Sequence, residues 1–240
     1  MISIIIPTLN EEKVLEETLQ SLKRNLTLPH EIIISDGGSS DKTVSIAKKY
    51  TRKVAVYSGV SRQTIAAGRN AGAAMASGDY LIFLDADCQL ENADIFLRKA
   101  QGHFEDDPDL TALTTNLRVF AQLETLADRF IFELVNLKIR LMNNYFGVGE
   151  SVGEFQMIRR SAFQVVGGFR NDLVANEDFN MFNRLSKIGH TFFEPNLIVY
   201  HTGRRAHQIG WPKLLSLWML NYFYFLIFDR AYSKEWVPLR

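Results

Sequence analysis

Two carboxylates one residue apart, Asp85 and Asp87, directly follow the apolar run Tyr80-Leu81-Ile82-Phe83-Leu84. The run has the length and composition of a buried strand. If the strand simply continued, period-2 alternation would send both carboxylates to one side. Ligands of open α/β sheets bind at the carboxyl ends of the strands. Two hard oxygen donors at such an end suit Mg²⁺ or Mn²⁺ bridging to phosphate oxygens. A polar strand terminus or a helix cap would carry the same residues, so the pair has to be read with its surroundings. Cys88 stands beside it, and no base near in sequence makes a nucleophile of that thiol.

Composition sets the outer bounds. A chain of 240 residues makes one large or two small domains. It is 47% hydrophobic and 22% charged, a globular profile. Lys+Arg and Asp+Glu both number 27, so charge offers no case for a nucleic-acid partner. A single cysteine excludes an intramolecular disulfide framework and a Cys-rich zinc site. It fits a reducing compartment. The N-terminus has no basic region and no cleavage site, so no signal peptide is expected, and the expected location is cytoplasmic.

The elements that must hold the pair alternate between strand and helix. Ile2-Ser3-Ile4-Ile5-Ile6 reads as a buried parallel strand stopped by Pro7. Asn10 can cap the next helix, Glu11, Glu12 and Glu16 favour its N-terminal half, and Val14, Leu15, Thr18, Leu19 and Leu22 form its packing face. Glu31 to Ser35 is a second strand, and Asp36 to Asp41 a loop. A helix from Lys42 to Tyr50, a strand from Val54 to Tyr57 and a helix from Gln63 to Ser77 lead into the central strand. This alternation predicts a parallel, nucleotide-binding α/β half. Neither Gly-x-Gly-x-x-Gly nor a Gly-x-x-x-x-Gly-Lys-Ser/Thr loop is present, which disfavours a dinucleotide-dependent dehydrogenase and a phosphate-loop NTPase.

Beyond the pair the pattern changes. Asn92 to His103 reads as a helix, Thr111 to Thr115 as a strand and Ala121 to Asn144 as a long helix. Leu123, Leu126, Phe130, Leu134, Leu137 and Leu141 recur along that helix at three- and four-residue spacing. Core packing is the expected reason, ahead of contact with a membrane or a partner. A strand from Glu154 to Ile158 and a short helix capped by Ser161 and ended by Gly167-Gly168 follow. Next come a helix from Phe179 to Ile188 with Gly189 as its C-cap, and two strands, Phe192-Phe193 and Leu197 to Tyr200, broken by Pro195. Leu214 to Phe228 is apolar, dense in Trp, Tyr and Phe, and flanked by Arg204, Arg205, Lys213, Arg230 and Lys234. It is shorter than the roughly 20 residues that span a bilayer. Two readings stay open: a terminal helix buried on the domain, or a helix in the membrane interface or on a membrane partner.

The chain resembles the inverting family-2 glycosyltransferases with the GT-A fold. The resemblance rests on Ile4-Ile5-Ile6-Pro7-Thr8-Leu9-Asn10-Glu11, Glu31 to Asp41, Gly68-Arg69-Asn70-Ala71-Gly72, Gly78 to Asp87, Val166-Gly167-Gly168-Phe169 and Glu177-Asp178. These stretches keep the family's order and spacing over about residues 2 to 201. The fold it implies is a Rossmann-like, mostly parallel central sheet flanked by helices, here with a C-terminal apolar helix. The implied layout is a GT-A domain over 1–210, with a nucleotide half to about residue 100 and an acceptor half after it, and a tail over 211–240.

The resemblance also implies roles. Pro7, Asn10 and Glu11 lie at the donor nucleotide, and Asp36 looks like the carboxylate that reads a base N–H, though Asp before Gly-Gly also suits a plain turn. Arg69 and Asn70 resemble the family's Arg-Asn pair near the nucleotide; Arg suits diphosphate, although the residues taken alone favour a solvated helix face. Asp85 looks like a ribose or metal contact, Ala86 part of the donor site and Asp87 the direct ligand of Mn²⁺ or Mg²⁺. His201 stands where a further metal or phosphate ligand is often found. Arg204 and Arg205 could close over the diphosphate or form a solvated basic loop. His30, His103, His190 and His207 have no motif context and are read as structural. Glu177-Asp178 matches the acceptor-site acidic pair, with Asp178 the base and Glu177 orienting, or a helix-start pair favoured by the macrodipole.

The implied reaction moves a sugar from a UDP- or GDP-sugar to an acceptor hydroxyl, a lipid-linked or cell-surface glycan among the acceptors. These residues carry neither the multiple spans nor the Gln-x-x-Arg-Trp motif of processive synthases, which implies transfer of one sugar. A peripheral place on the inner membrane face follows if the tail docks there. The competing readings are a nucleotidyltransferase, which would bring a Gly-rich loop and a Lys near the N-terminus, and a non-catalytic nucleotide-sugar-binding subunit docked on a membrane enzyme. Retention of both acidic pairs argues against the second.

Overall fold

Period-2 alternation in the first strand already divides the molecule into two cores. In the computed structural model, which describes residues 1–235, that strand is β1 (Ile2–Thr8). It leads through α1 (Leu15–Asn25), β2 (His30–Asp36), α2 (Thr43–Tyr50), β3 (Lys53–Val56) and α3 (Ile65–Ala74) to the central strand β4 (Tyr80–Leu84). Then come β5 (Gln89–Leu90), α4 (Ala93–Asp106), β6 (Leu110–Val119), α5 (Leu126–Asn144), β7 (Phe155–Arg159) and α6 (Arg160–Val165). The chain closes with α7 (Glu177–Leu185), β8 (His190–His201), α8 (Arg204–Ile209) and α9 (Trp211–Phe228); tail residues 236–240 lie outside the described residues.

Ile2, Ile4 and Ile6 of β1, with Ile82 and Leu84 of β4, enter one core beneath α1, α2 and α4. Ile5, Leu81 and Phe83 point the other way and meet α3, α6 and α7. The sheet has eight strands in the order β3-β2-β1-β4-β7-β6-β8-β5. β1 pairs in parallel with both β2 and β4, so the strand order reverses there and opens a crevice at their carboxyl ends. β7 runs antiparallel to β4 and β6, and β8 runs parallel to β6. The expected α/β architecture is the observed one.

Close packing of α3 on β1 depends on Gly72. A methyl group there would lie 2.4 Å from Cγ2 of Ile5, deep in the core. Gly72→Ala gains roughly 1 kcal/mol of helix propensity. Overpacking costs about 1–3 kcal/mol, so the midpoint of urea unfolding should fall.

Several local expectations are corrected. Asn10 does not cap α1; it sits at φ +55° and its Oδ1 accepts from the Ser40 amide at 2.9 Å. The helix begins later, after Val14. Gly189 is not a C-cap either: a Cβ there would meet the Asp109 carbonyl oxygen at 2.4 Å, so it is small to admit a neighbouring backbone. Phe192-Phe193 and Leu197 to Tyr200 belong to one strand, because the β6–β8 register shifts after Thr115–Glu194 and accommodates Pro195 in the irregularity. That shift leaves Leu117 facing α5, where Asn136 accepts from its N–H and donates to its C=O.

The long helix is inverted relative to expectation. Its inward side carries Asp128, Asn136 and Asn143 beside Phe132 and Ile139. Asp128 accepts from Thr125, His207 and Trp211, Asn136 bonds the Leu117 backbone of β6, and Asn143 bonds the Glu150 backbone. Leu126, Phe130, Leu134, Leu137 and Leu141, expected in the core, face outward.

Candidate active site

A cleft of about 970 Å³ opens at the carboxyl ends of β1 and β4. It contains Pro7, Glu11, Arg69, Asp85, Ala86, Asp87, Glu177, Asp178, His201, Arg204 and Arg205 in its wall. Three expected residues stay out of the lining, each for a visible reason. Asp36 is 1% exposed, and its carboxylate accepts from Thr8 Oγ1, the Gly38 and Ser39 amides and Ser39 Oγ. The oxygens expected to read a base are thus already used by their own loop. Asn10 holds the same loop from the opposite side. Asn70 accepts from the Phe169 amide and donates to its carbonyl, clipping the Gly167-Gly168 turn onto α3.

The two aspartates of the central pair do not share a side. A turn follows Leu84, closed by the Cys88 amide donating to the Asp85 carbonyl at 3.1 Å. Asp85 keeps the direction of Phe83 and meets Arg69 at 3.2 Å. Asp87 instead accepts from the Thr202 hydroxyl and lies 3.3 Å from Arg204 Nε. Strand alternation ends where the strand ends.

Arg69, expected near diphosphate or on a solvated face, is 1% exposed. Its guanidinium ties Asp85 to Glu177, at 3.0 Å from the latter, and donates to the Gly153 carbonyl at 2.8 Å. A buried charge is tolerated only when so paired. Burial and the neighbouring Asp178 charge push the Glu177 carboxyl up to about 7, against the pull of Arg69. Burial also raises Asp178. Asp178 Oδ1 accepts from the Phe179 amide at 2.8 Å. Its Oδ2 looks toward Gly153, where a methyl group would come within 3.6 Å.

On the other wall α8 replaces the expected basic loop. Arg204 grips Glu11 through two hydrogen bonds, 2.7 and 2.9 Å, as well as meeting Asp87. His201 is buried, and its Nε2 has no hydrogen-bond partner. Burial lowers its imidazole to about 4, so the ring is neutral near pH 7. Cys88 is buried beside the aspartates and its thiol is pushed well up by burial and their charge, which leaves it inert. The other histidines pair structurally: His103 with Glu194, His190 with Asp107, His207 with Asp128, and His30 with the Leu28 carbonyl.

Sequence reasoning missed Glu154. Register places it opposite Asp85, because Leu84 pairs with Phe155 across β4 and β7. Burial and the Asp85 charge raise its carboxyl to about 8. Only the antiparallel pairing of two strands some seventy residues apart makes this visible. Glu150 and Lys138, an ion pair in the same cleft wall, were missed for a similar reason.

The family model for glycosyl transferase family 2 matches residues 3–167. This chain belongs to that family. As a family-2 member it is a glycosyltransferase, and relatives agree. A PGL/p-HBAD biosynthesis glycosyltransferase of Mycobacterium tuberculosis is 26% identical over 90% of this chain and 93% of its own length. Validoxylamine A glucosyltransferase of Streptomyces hygroscopicus is 36% identical, but over 35% of this chain. The fold of this family-2 enzyme is GT-A. A mannosyltransferase from Pyrobaculum calidifontis, solved with GDP-Man and Mn²⁺, superposes with a TM-score of 0.72 at 18% identity. It covers 94% of this chain, which spans 64% of that longer one. Glucosyl-3-phosphoglycerate synthase of Mycobacterium tuberculosis, solved with Mn²⁺, UDP and glucosyl-3-phosphoglycerate, gives 0.59 at 19%, covering 95% and 78% of the two chains.

Proposed function

We propose that this glycosyltransferase moves one sugar from a UDP- or GDP-sugar to an acceptor hydroxyl, inverting the anomeric centre. The observation that carries the reading is the division of labour in the second acidic pair. Glu177 is committed to Arg69, whereas Asp178 lines the cleft without an ion pair to that guanidinium and is held through Oδ1 by the Phe179 amide. An alcohol is a weak nucleophile near neutral pH, and a carboxylate facing it can take its proton as the bond forms. Inversion requires attack opposite the leaving diphosphate. Asp178, on α7, and the Glu11–Arg204–Asp87 group come from different elements and line the same cleft, so a base and the charged contacts for a leaving diphosphate share one site.

A divalent cation fits the residues present. Asp87 offers hard oxygens, and the unpartnered His201 Nε2 is a neutral imidazole nitrogen in the same wall. No three His, Cys, Asp or Glu side chains form a ready-made cluster among the described residues. That suits Mg²⁺ or Mn²⁺ bound by one or two protein groups, with substrate phosphates completing the shell. Asp87 and His201 would hold it, with Asp85 behind them on Arg69. Bound there, the cation would neutralise charge on the departing diphosphate. The acceptor hydroxyl is carried on a lipid or a cell-surface glycan, and the enzyme works at the inner membrane face.

Two measurements test this. Nucleoside-diphosphate release from a panel of UDP- and GDP-sugars, with and without Mn²⁺, should single out one donor and depend on the metal. The anomeric configuration of the product, read by NMR, should be opposite to the donor's; retention would overturn the mechanism. Asp87→Ala should weaken metal-dependent nucleotide binding roughly 10- to 100-fold, the cost of losing a charged contact. Unchanged affinity for the metal–nucleotide complex would remove Asp87 from the site.

A further inference from the structure

Two helices, α5 and α9, line the cleft, and both turn apolar side chains outward. Leu126, Phe130, Leu134, Leu137 and Leu141 of α5 are exposed at helical spacing, while Asp128, Asn136 and Asn143 are buried. On α9, Met219, Phe223, Leu226 and Ile227 are each more than half exposed, while Leu214, Asn221 and Phe225 are buried, so this helix is apolar on both sides. A helix on a water-facing surface shows the opposite arrangement. Among the described residues no helix is long and apolar enough to cross a membrane.

The two helices are linked across the cleft. The Trp211 indole N–H donates to Asp128 at 2.8 Å, and the Lys138 ammonium lies 4.5 Å from the centre of the Tyr222 ring. Phe132, Val135 and Ile139 of α5 and Leu215, Trp218 and Tyr222 of α9 line the interior. Met219 and Phe223 do both: they line the cleft and stand exposed on its outer rim. An apolar surface therefore runs from the outside of the molecule into the site. Neither a nucleoside diphosphate nor a sugar calls for such a wall. Exposed Arg129, paired with Glu124, and exposed Arg140 border the stripe on α5, with Glu133 between them. Exposed Lys213 and Arg230, the latter beside Asp229, mark the two ends of α9, so basic groups outnumber acidic ones along this rim.

We propose that α5 and α9 form a docking face for an anionic bilayer, and that Met219 and Phe223 admit the aliphatic chain of a lipid-borne acceptor. Apolar side chains would enter the headgroup–acyl boundary while the basic rim meets anionic headgroups. A lipid surface fits better than a second copy of the chain. A protein seated on both helices would cap the opening that they line, whereas a bilayer would present substrate to it. The acceptor part rests on the proposed reaction; the docking part does not.

The test is flotation of the full chain with phosphatidylcholine vesicles, with and without about 30% phosphatidylglycerol. The chain should float with the anionic vesicles, and salt should weaken the association. Leu134→Glu/Leu137→Glu on α5 and Leu220→Glu/Ile227→Glu on α9 leave the cleft lining untouched. Each should lower the vesicle-bound fraction about tenfold by removing apolar burial, with circular dichroism and nucleotide affinity unchanged. A native chain that ignores both vesicle types overturns the docking, as do variants that float like it. So does sedimentation showing a dimer that the same substitutions split, since the face would then be a protein interface. Vesicle binding without nucleotide release from any donor keeps the docking and overturns the reaction. Transfer to lipid-free acceptors at the same rate as to vesicle-borne ones overturns the acceptor lane.

Discussion

Asp178→Asn should lower sugar transfer about 100- to 10,000-fold, the range expected for loss of a general base, with donor affinity nearly intact. The amide keeps the shape of the side chain, and its Oδ1 can still accept from the Phe179 amide. It cannot take a proton from the acceptor hydroxyl. The neighbouring Glu177→Gln is the control. That change weakens the hold on Arg69 and should act first on stability. A variant Asp178→Asn with normal turnover beside an inactive, folded Glu177→Gln would reverse the assignment. The pH profile gives an independent readout. Burial raises the Asp178 carboxyl, and the base must be ionised to work. Transfer should therefore rise with pH along a limb displaced upward from the ordinary aspartate range near 4.

Arg69→Met should be the most damaging single change to the fold. Arg69 is buried between Asp85 and Glu177 and also donates to the Gly153 carbonyl. Methionine fills much of the volume but leaves two carboxylates facing each other without a cation. Breaking a buried pair from one side costs about 3–5 kcal/mol, which lowers Tm by roughly 10 °C in a chain of this size. The sign of the pH dependence separates charge from packing. With the guanidinium gone, both carboxyls are relieved by protonation, so the deficit should shrink from pH 8 to pH 5. A deficit that does not change with pH would mean that Arg69 matters only as volume.

The parallel half of the fold was legible because each of its elements is local. Isoleucine runs, a Pro stop and helices of one packing face need no partner to be recognised, and β1 to β4 follow them closely. The acidic pairs were legible by type and position, since a carboxylate at a strand end or a helix start is visible in one dimension. Their partners were not. Arg69 reads as one cation on a short helix until β4 and α7 close around it. Glu11 reads as a helix-start residue until α8 brings Arg204 to it. Asp36 and Asn70 have side chains short enough to be consumed by nearby backbone, and sequence alone does not separate that use from ligand binding. The inversion of α5 was hidden for a related reason. Its apolar spacing is regular, but periodicity identifies a face without saying what covers it.

The bridge from Glu11 to Arg204 spans 193 positions, and its consequence is one of timing. A growing chain can pair β1, β2, β3 and β4 once residue 84 has emerged. Glu177 can reach Arg69 only after synthesis has passed residue 177, and the clasp on Glu11 forms only after residue 204. Long-range closure of this kind comes late in folding. A partly made enzyme thus has its first carboxylates but no closed cleft, and it stays silent toward an activated sugar until the opposite wall has arrived.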